Sequence, residues 1–230
     1  MPNPGNMSRT PTWTNKREPH LPGGDDDLRS GLNQIGGPGI TSPLPTKENV
    51  PAFNVAVWVS ASAMVGTFTA GAGDGNKLPQ RAETAVNLVN YDYLAFDPTT
   101  SENAFFQYKI PIGWDEGKLT FRYLWTNTDG VAGGVVFGLK AQPLSDNDTI
   151  DTAWGTEILV TDSWQAQNKV HISPISTDLT IGAGANGTAV EGDIVMFNLA
   201  RKTADAGDTM AGDCRILGLE ITFRRTTLTD

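Results

Sequence analysis

The sequence predicts an all-β protein: an antiparallel β-sandwich, jelly-roll-like, preceded by an extended N-terminal arm. Three observations lead there. The 230-residue chain holds 25 Gly and 14 Pro with only 19% charged residues, so turn formers abound and helix-filling residues are thin. Beyond residue 51, short runs rich in β-branched and aromatic residues recur at regular spacing, with Gly, Asp, Asn or Pro between them, which is the pattern of a sandwich or barrel. Residues 1–51, by contrast, have no apolar period and few apolar residues, too little to pack a unit of their own. A domain of the remaining length can bury a core without metal or disulfide staples.

Taken in order, residues 1–51 carry Pro2, Pro4, Pro11, Pro19, Pro22, Pro38, Pro43, Pro45 and Pro51, with "PGGDDD" and "GGPG" between them. They read as an arm that lies extended over a partner, and residues 52–230 as the sandwich. Trp13, Pro19, Pro22 and Pro38 are the arm positions expected to touch that partner, Trp13 as an aromatic anchor in a neighbour's pocket. "FNVAVWVS" opens the sandwich: side chains alternate along a strand, so Phe53, Val55, Val57 and Val59 share one face and Trp58 takes the other. Trp58 is therefore a candidate for an exposed contact or a subunit interface. "MVGTFTA" reads as the strand that pairs with it. "GAGDGNKLPQRAETAVNLVN" reads as a long loop with one helical turn at "RAETAVNL".

Eight further strands follow: "YDYLAFD", "NAFFQYKI", "KLTFRYLWT", "GGVVFGLKAQ", "TEILVTDS", "KVHIS", "DIVMFNLARK" and "CRILGLEITFR". In the third of these, Leu119, Phe121, Tyr123 and Trp125 fall on one face, which makes that strand the packing spine of the sandwich. The stretch "DNDTIDTAW" reads as one or two helical turns with Asp148 as the N-cap.

The chemistry offered by the sequence is sparse. A formal net charge of -9 and a pI near 4.7 argue against a nucleic-acid partner, which needs clustered Lys and Arg. Cys214 is the single cysteine and lies in an apolar run, where a thiol behaves as a small buried hydrophobe. The N-terminus lacks the apolar stretch of a signal peptide and no run approaches a membrane span, so no membrane partner is expected and assembly is expected in a cytoplasm. "GAGANG", Gly182 to Gly187, has the G-x-G-x-x-G spacing of a dinucleotide loop. It runs on into another strand rather than a helix, so it reads as a hairpin loop.

Asp146, Asp148 and Asp151, and again Asp205, Asp208 and Asp213, cluster in the manner of calcium ligands, but neither set supplies the Gly and Glu of an EF-hand loop. His20, His171 and Cys214 have no zinc spacing. His171 has no neighbouring nucleophile and reads as a strand residue. Trp114, Asp115 and Glu116 could belong to a paired-carboxylate glycosidase, although a turn bracketed by Gly113 and Gly117 accounts for them. No cofactor, metal or catalytic residue is expected. Six tryptophans, Trp13, Trp58, Trp114, Trp125, Trp154 and Trp164, leave a sugar-stacking platform open as a second reading.

The run "YDYLAFDPTTSENAFFQYKIPIGWDEGKLTFRYLWT", with "GVVFGLKAQPLSDNDTIDTAWGTEILVTD" and "EGDIVMFNLARKTADAGDTMAGDCRILGLEITF", resembles β-rich virion structural proteins of tailed bacteriophages over residues 90–225. The resemblance implies a sandwich carried on the particle surface, as a capsid decoration or a head or tail fibre component. It implies other virion proteins, capsid or tail subunits, as partners, and a homotrimer. The alternative is a carbohydrate-binding module or the receptor-reading tip of a fibre, whose ligand would be a host-surface glycan.

Overall fold

The computed structural model describes residues 53–66, 79–115, 118–182 and 184–225. Trp13, Pro19, Pro22 and Pro38, the glycine run at 71–75 and Glu116 lie outside the described residues. Within them the chain forms β1 (Phe53–Ser60), β2 (Val65–Gly66), β3 (Gln80–Glu83), β4 (Asn90–Phe96), β5 (Asn103–Lys109), β6 (Thr120–Thr126), β7 (Gly134–Leu144), β8 (Ile158–Ser163), β9 (His171–Ile172), β10 (Ile194–Arg201) and β11 (Cys214–Arg225).

These strands make two antiparallel sheets. The front sheet has the order β3-β4-β11-β6-β9, with β1 also paired to β11, and the back sheet has the order β2-β5-β10-β7-β8. From β4 onward the chain crosses between the sheets at every connection except the β7–β8 hairpin, which stays in the back sheet, a jelly-roll-like pattern. β11 is the longest strand and serves two neighbours on one side: Cys214 to Ile216 pair with β4, and Gly218 to Arg225 pair with β1. The register against β6 shifts between Ile216 and Gly218, so Leu217 is the extra residue of a bulge. The change of neighbour falls at that bulge.

Alternation fills the space between the sheets. Leu119, Phe121, Tyr123 and Trp125 are all buried, as the period-two reading of "KLTFRYLWT" expects, and they meet Val135, Phe137 and Leu139 of β7 and Val195, Phe197 and Leu199 of β10 in one core. Phe96 meets Phe137 edge-on with ring centroids 5.1 Å apart, and Phe106 stacks on Phe197 at 4.8 Å. The Tyr123 hydroxyl lies 3.2 Å from the Val135 carbonyl and 3.3 Å from that of Val160. A buried phenol thus keeps its proton engaged. Burial pushes the Tyr123 phenol and the Cys214 thiol well above their ordinary ranges.

That burial has a consequence at alkaline pH. In the unfolded chain these groups ionise from ordinary values of 9.0 for the thiol and 10.0 for the phenol, whereas the folded protein holds both protons. Their contribution to stability is complete below those values and is lost as pH rises past them, because the unfolded state then binds fewer protons. Urea midpoints measured from pH 7 to 11 should fall above pH 9, and the onset should move upward in Cys214→Ala.

Three local readings need correction. Of "MVGTFTA", the described Val65 and Gly66 form β2 and pair with β5 in the opposite sheet rather than with β1, the short 3-10 turn at Ala61–Ala63 carrying the chain across. "RAETAVNL" is not helical. Gln80–Glu83 is a strand paired with β4, and Thr84 closes the hairpin by accepting from the Leu88 and Val89 amides, with Leu88 in the left-handed region at φ 53°. "DNDTIDTAW" forms turns and bends rather than a helix. The Asp148 carboxylate accepts from the Ser145 amide at 2.7 Å, and Asn147 at φ 67° breaks any helical run.

Candidate functional site

The outward faces of the two sheets are where side chains remain free to meet a ligand. On the front sheet Trp58 projects outward as its alternation requires and is 50% exposed, while Val59 beside it is buried. Its benzo ring end rests on Gly218 of the neighbouring strand, where a Cβ would collide with Cζ2 and Cη2 of the indole and with the Val59 carbonyl. Glycine is required there by this close approach. The indole is therefore supported on the sheet while half of its surface stays open.

Cross-strand register places two charged groups in the same row. Trp58 lies opposite Glu220, and Glu220 lies opposite Arg122. The Arg122 guanidinium and the Glu220 carboxylate are paired at 2.9 Å with both side chains partly exposed. A surface pair of this kind adds little to stability. It does hold a planar donor group and a carboxylate in fixed positions beside an aromatic face.

Further along β11, on the same outer face, the Arg215 guanidinium sits 4.6 Å over the Tyr93 ring and lies 3.4 Å from the Tyr91 hydroxyl. The Tyr93 hydroxyl donates to Gln80 at 2.8 Å. The front face thus presents Trp58 and, in part, Tyr91 among arginine, glutamate and glutamine side chains, while Tyr93 is buried beneath Arg215. Aromatic faces pack against the C–H face of a sugar ring, and planar polar groups beside them reach its hydroxyls.

Other candidates are absorbed by structure. His171 is fully buried, stacks on Trp125 with centroids 4.3 Å apart, and has Nε2 3.1 Å from the Ala166 carbonyl. Asp208 pairs with Arg201 inside the protein, and Asp205 accepts from the Gly207 amide in a turn. Among the described residues no group of three His, Cys, Asp or Glu side chains could hold a metal ion. "GAGANG" is a loop closed by a bridge between Gly182 and Thr188, with Asn186 donating to the Pro143 and Thr149 carbonyls. Trp114 is buried and bridges to Arg225, while Asp115 pairs with Arg224. A cleft of about 430 Å³ opens beside Ser101, Leu159 and Thr203 over the Lys202–Glu157 ion pair.

Alternation alone placed Trp58 outward. Its setting was hidden, because Gly218, Glu220 and Arg122 are distant in sequence and only strand register brings them beside it.

No family model matches the chain, and no curated protein matches it. Among solved structures it is similar to the family 11 carbohydrate-binding module of Clostridium thermocellum, in complex with a β-1,3-1,4-mixed-linked tetrasaccharide, at 10% identity over 72% of this chain and 94% of that one, with a TM-score of 0.39. A xylan-binding domain from Paenibacillus barcinonensis matches at 10% identity over 63% and 86%, with a TM-score of 0.36. A Shewanella oneidensis protein of unknown function matches at 12% identity over 85% and 99%, with a TM-score of 0.29. Likenesses of this extent carry neither a ligand nor site residues over to this chain.

Proposed function

We propose that the sandwich is a non-catalytic binding module that reads a carbohydrate on its front face. The observation that carries this reading is Trp58: a half-exposed indole supported on Gly218, in one row with a paired Glu220 and Arg122. A pyranose ring stacked on the indole brings its hydroxyls to the carboxylate and the guanidinium. Arg215, which covers the buried Tyr93 ring, and Tyr91 extend the surface along the sheet. The arrangement offers binding and orientation, with no paired nucleophile and base to act on a bond.

The setting proposed with it rests on the resemblance of residues 90–225 to phage virion proteins. In that setting the module sits on a particle surface, residues 1–51 attach it to capsid or tail subunits, and the ligand is a glycan of the host surface.

The test of the binding claim is retention of the full chain on immobilised polysaccharides and bacterial surface glycans, followed by Trp58→Ala. An aromatic anchor of this kind contributes about 2 kcal/mol, so binding should weaken roughly thirty-fold in a domain that stays folded, its melting temperature lowered only by the loss of the indole's contact with Gly218. Equal retention of the variant would refute the site.

A further inference from the structure

Arg215 is a cation of the front face that the fold leaves without a carboxylate. Arg81, Arg122 and Arg201 each face one at 2.9 Å, and Arg224 faces one at 3.6 Å. Arg215 has none among the described residues. Its guanidinium lies instead 4.6 Å over the ring of the buried Tyr93, with Nη1 3.4 Å from the Tyr91 hydroxyl. Nε and Nη2 have no hydrogen-bond partner among the described residues, and neither is sealed from solvent. Stacking thus covers one face of the group and holds it still, while its donor edge stays open.

The course of β11 aims this open edge at the ligand face. Gly218 is an outer position, since the Trp58 indole rests on it, and strict alternation from there would turn Arg215 inward. The bulge at Leu217 reverses the alternation and puts Arg215 outward. Bulges re-aim side chains in this way beside functional sites. Trp58 lies opposite Glu220 but leans over Gly218, toward the Arg215 end of the strand. From Gly218 to Arg215 the strand covers about 10 Å, a span for a short run of sugar units rather than a single ring. Glu220, on the same face, is already paired with Arg122.

We propose that the glycan read by this face is acidic, a polysaccharide bearing uronic-acid carboxylates, and that Arg215 pairs with one such carboxylate on a unit further along the chain from the ring stacked on Trp58. The inference rests on the reading of Trp58 as a sugar platform and names the class of its ligand. A guanidinium edge presents parallel N–H donors that match the two oxygens of a carboxylate, and a hydroxyl uses only one of them. The net charge of -9 repels a polyanion at long range, so the attraction has to be local, and a stacked arginine with open donors supplies it.

The test is titration calorimetry of the full chain with polygalacturonate, alginate and hyaluronan, each compared with its carboxyl-reduced form. Saturable binding of at least one acidic glycan is expected, weakening about tenfold on carboxyl reduction, the scale of a hydrogen bond to a charged group. Arg215→Gln should lose the same factor on the acidic form and nothing on the reduced one, and Arg215→Lys should recover part of it. A merely structural role for Arg215 would weaken both forms alike, so the comparison holds even where the variant is less stable. Trp58→Ala separates the two claims. Reduced forms bound as tightly as the acidic ones, with binding still lost in Trp58→Ala, would overturn the acidic ligand and leave the Trp58 site standing. Equal binding by wild type and Trp58→Ala, or no binding of either form, would overturn both.

Discussion

Replacing Arg201 by Met is expected to destabilise the domain by about 3–5 kcal/mol, as breaking one side of a buried ion pair does. Arg201 is completely buried at the end of β10, and its donors are engaged. Nε and Nη2 bind the two carboxylate oxygens of Asp208 at 3.0 and 2.9 Å. Nη1 donates to the Phe96 and Gly212 carbonyls, and Nη2 also to that of Met210 at 2.7 Å. The planar fork thus ties β4, β10 and the connection before β11 together. Methionine fills the volume but leaves the Asp208 carboxylate buried without its cation, still accepting from the Val136 amide. Lysine keeps the charge without the bidentate geometry and should recover only part of the loss. Urea unfolding of Arg201→Met, Asp208→Leu and the double variant measures this. The double variant should be more stable than the sum of the two single changes implies.

Trp125→Ala is expected to cost a similar amount, about 3–5 kcal/mol, through the cavity left by a fully buried indole. Trp125 is the last residue of the aromatic spine and is fully buried. It stacks on His171 and donates from Nε1 to Asp162 at 2.8 Å, so its loss opens the core between β6 and β9 and removes a donor from a partly buried carboxylate. Trp125→Phe keeps most of the packing and should cost less. Thermal and urea unfolding of the two variants separate packing from the hydrogen bond. A loss in Trp125→Ala as small as that of a surface change would mean the spine does not organise the core.

The spine was legible because period-two alternation survives in "KLTFRYLWT" without interruption, and each alternate residue is large and apolar. The same rule placed Trp58 outward and, applied to "IVMFNLAR", puts Arg201 on the inward face with Val195, Phe197 and Leu199. A cation at a core position of the period is the signal that could have found that network. Its acceptors could not be read, since Phe96, Asp208, Met210 and Gly212 meet only through topology. Gln80–Glu83 went unread as a strand because "QRAE" is polar on both faces, its pairing with β4 being set by the Thr84 turn. The helical reading of "DNDTIDTAW" followed an acidic cap signal that the fold uses to close a turn at Ser145.

The central claim is that Trp58 forms the floor of a carbohydrate site. The most direct measurement is titration calorimetry of the wild-type chain and Trp58→Ala with the polysaccharide that best retains the wild type. The expected result is saturable binding by the wild type and roughly thirty-fold weaker binding by the variant, with both proteins folded at the temperature of the titration. Unchanged affinity in Trp58→Ala, or a wild-type chain retained on none of the glycans, would contradict it.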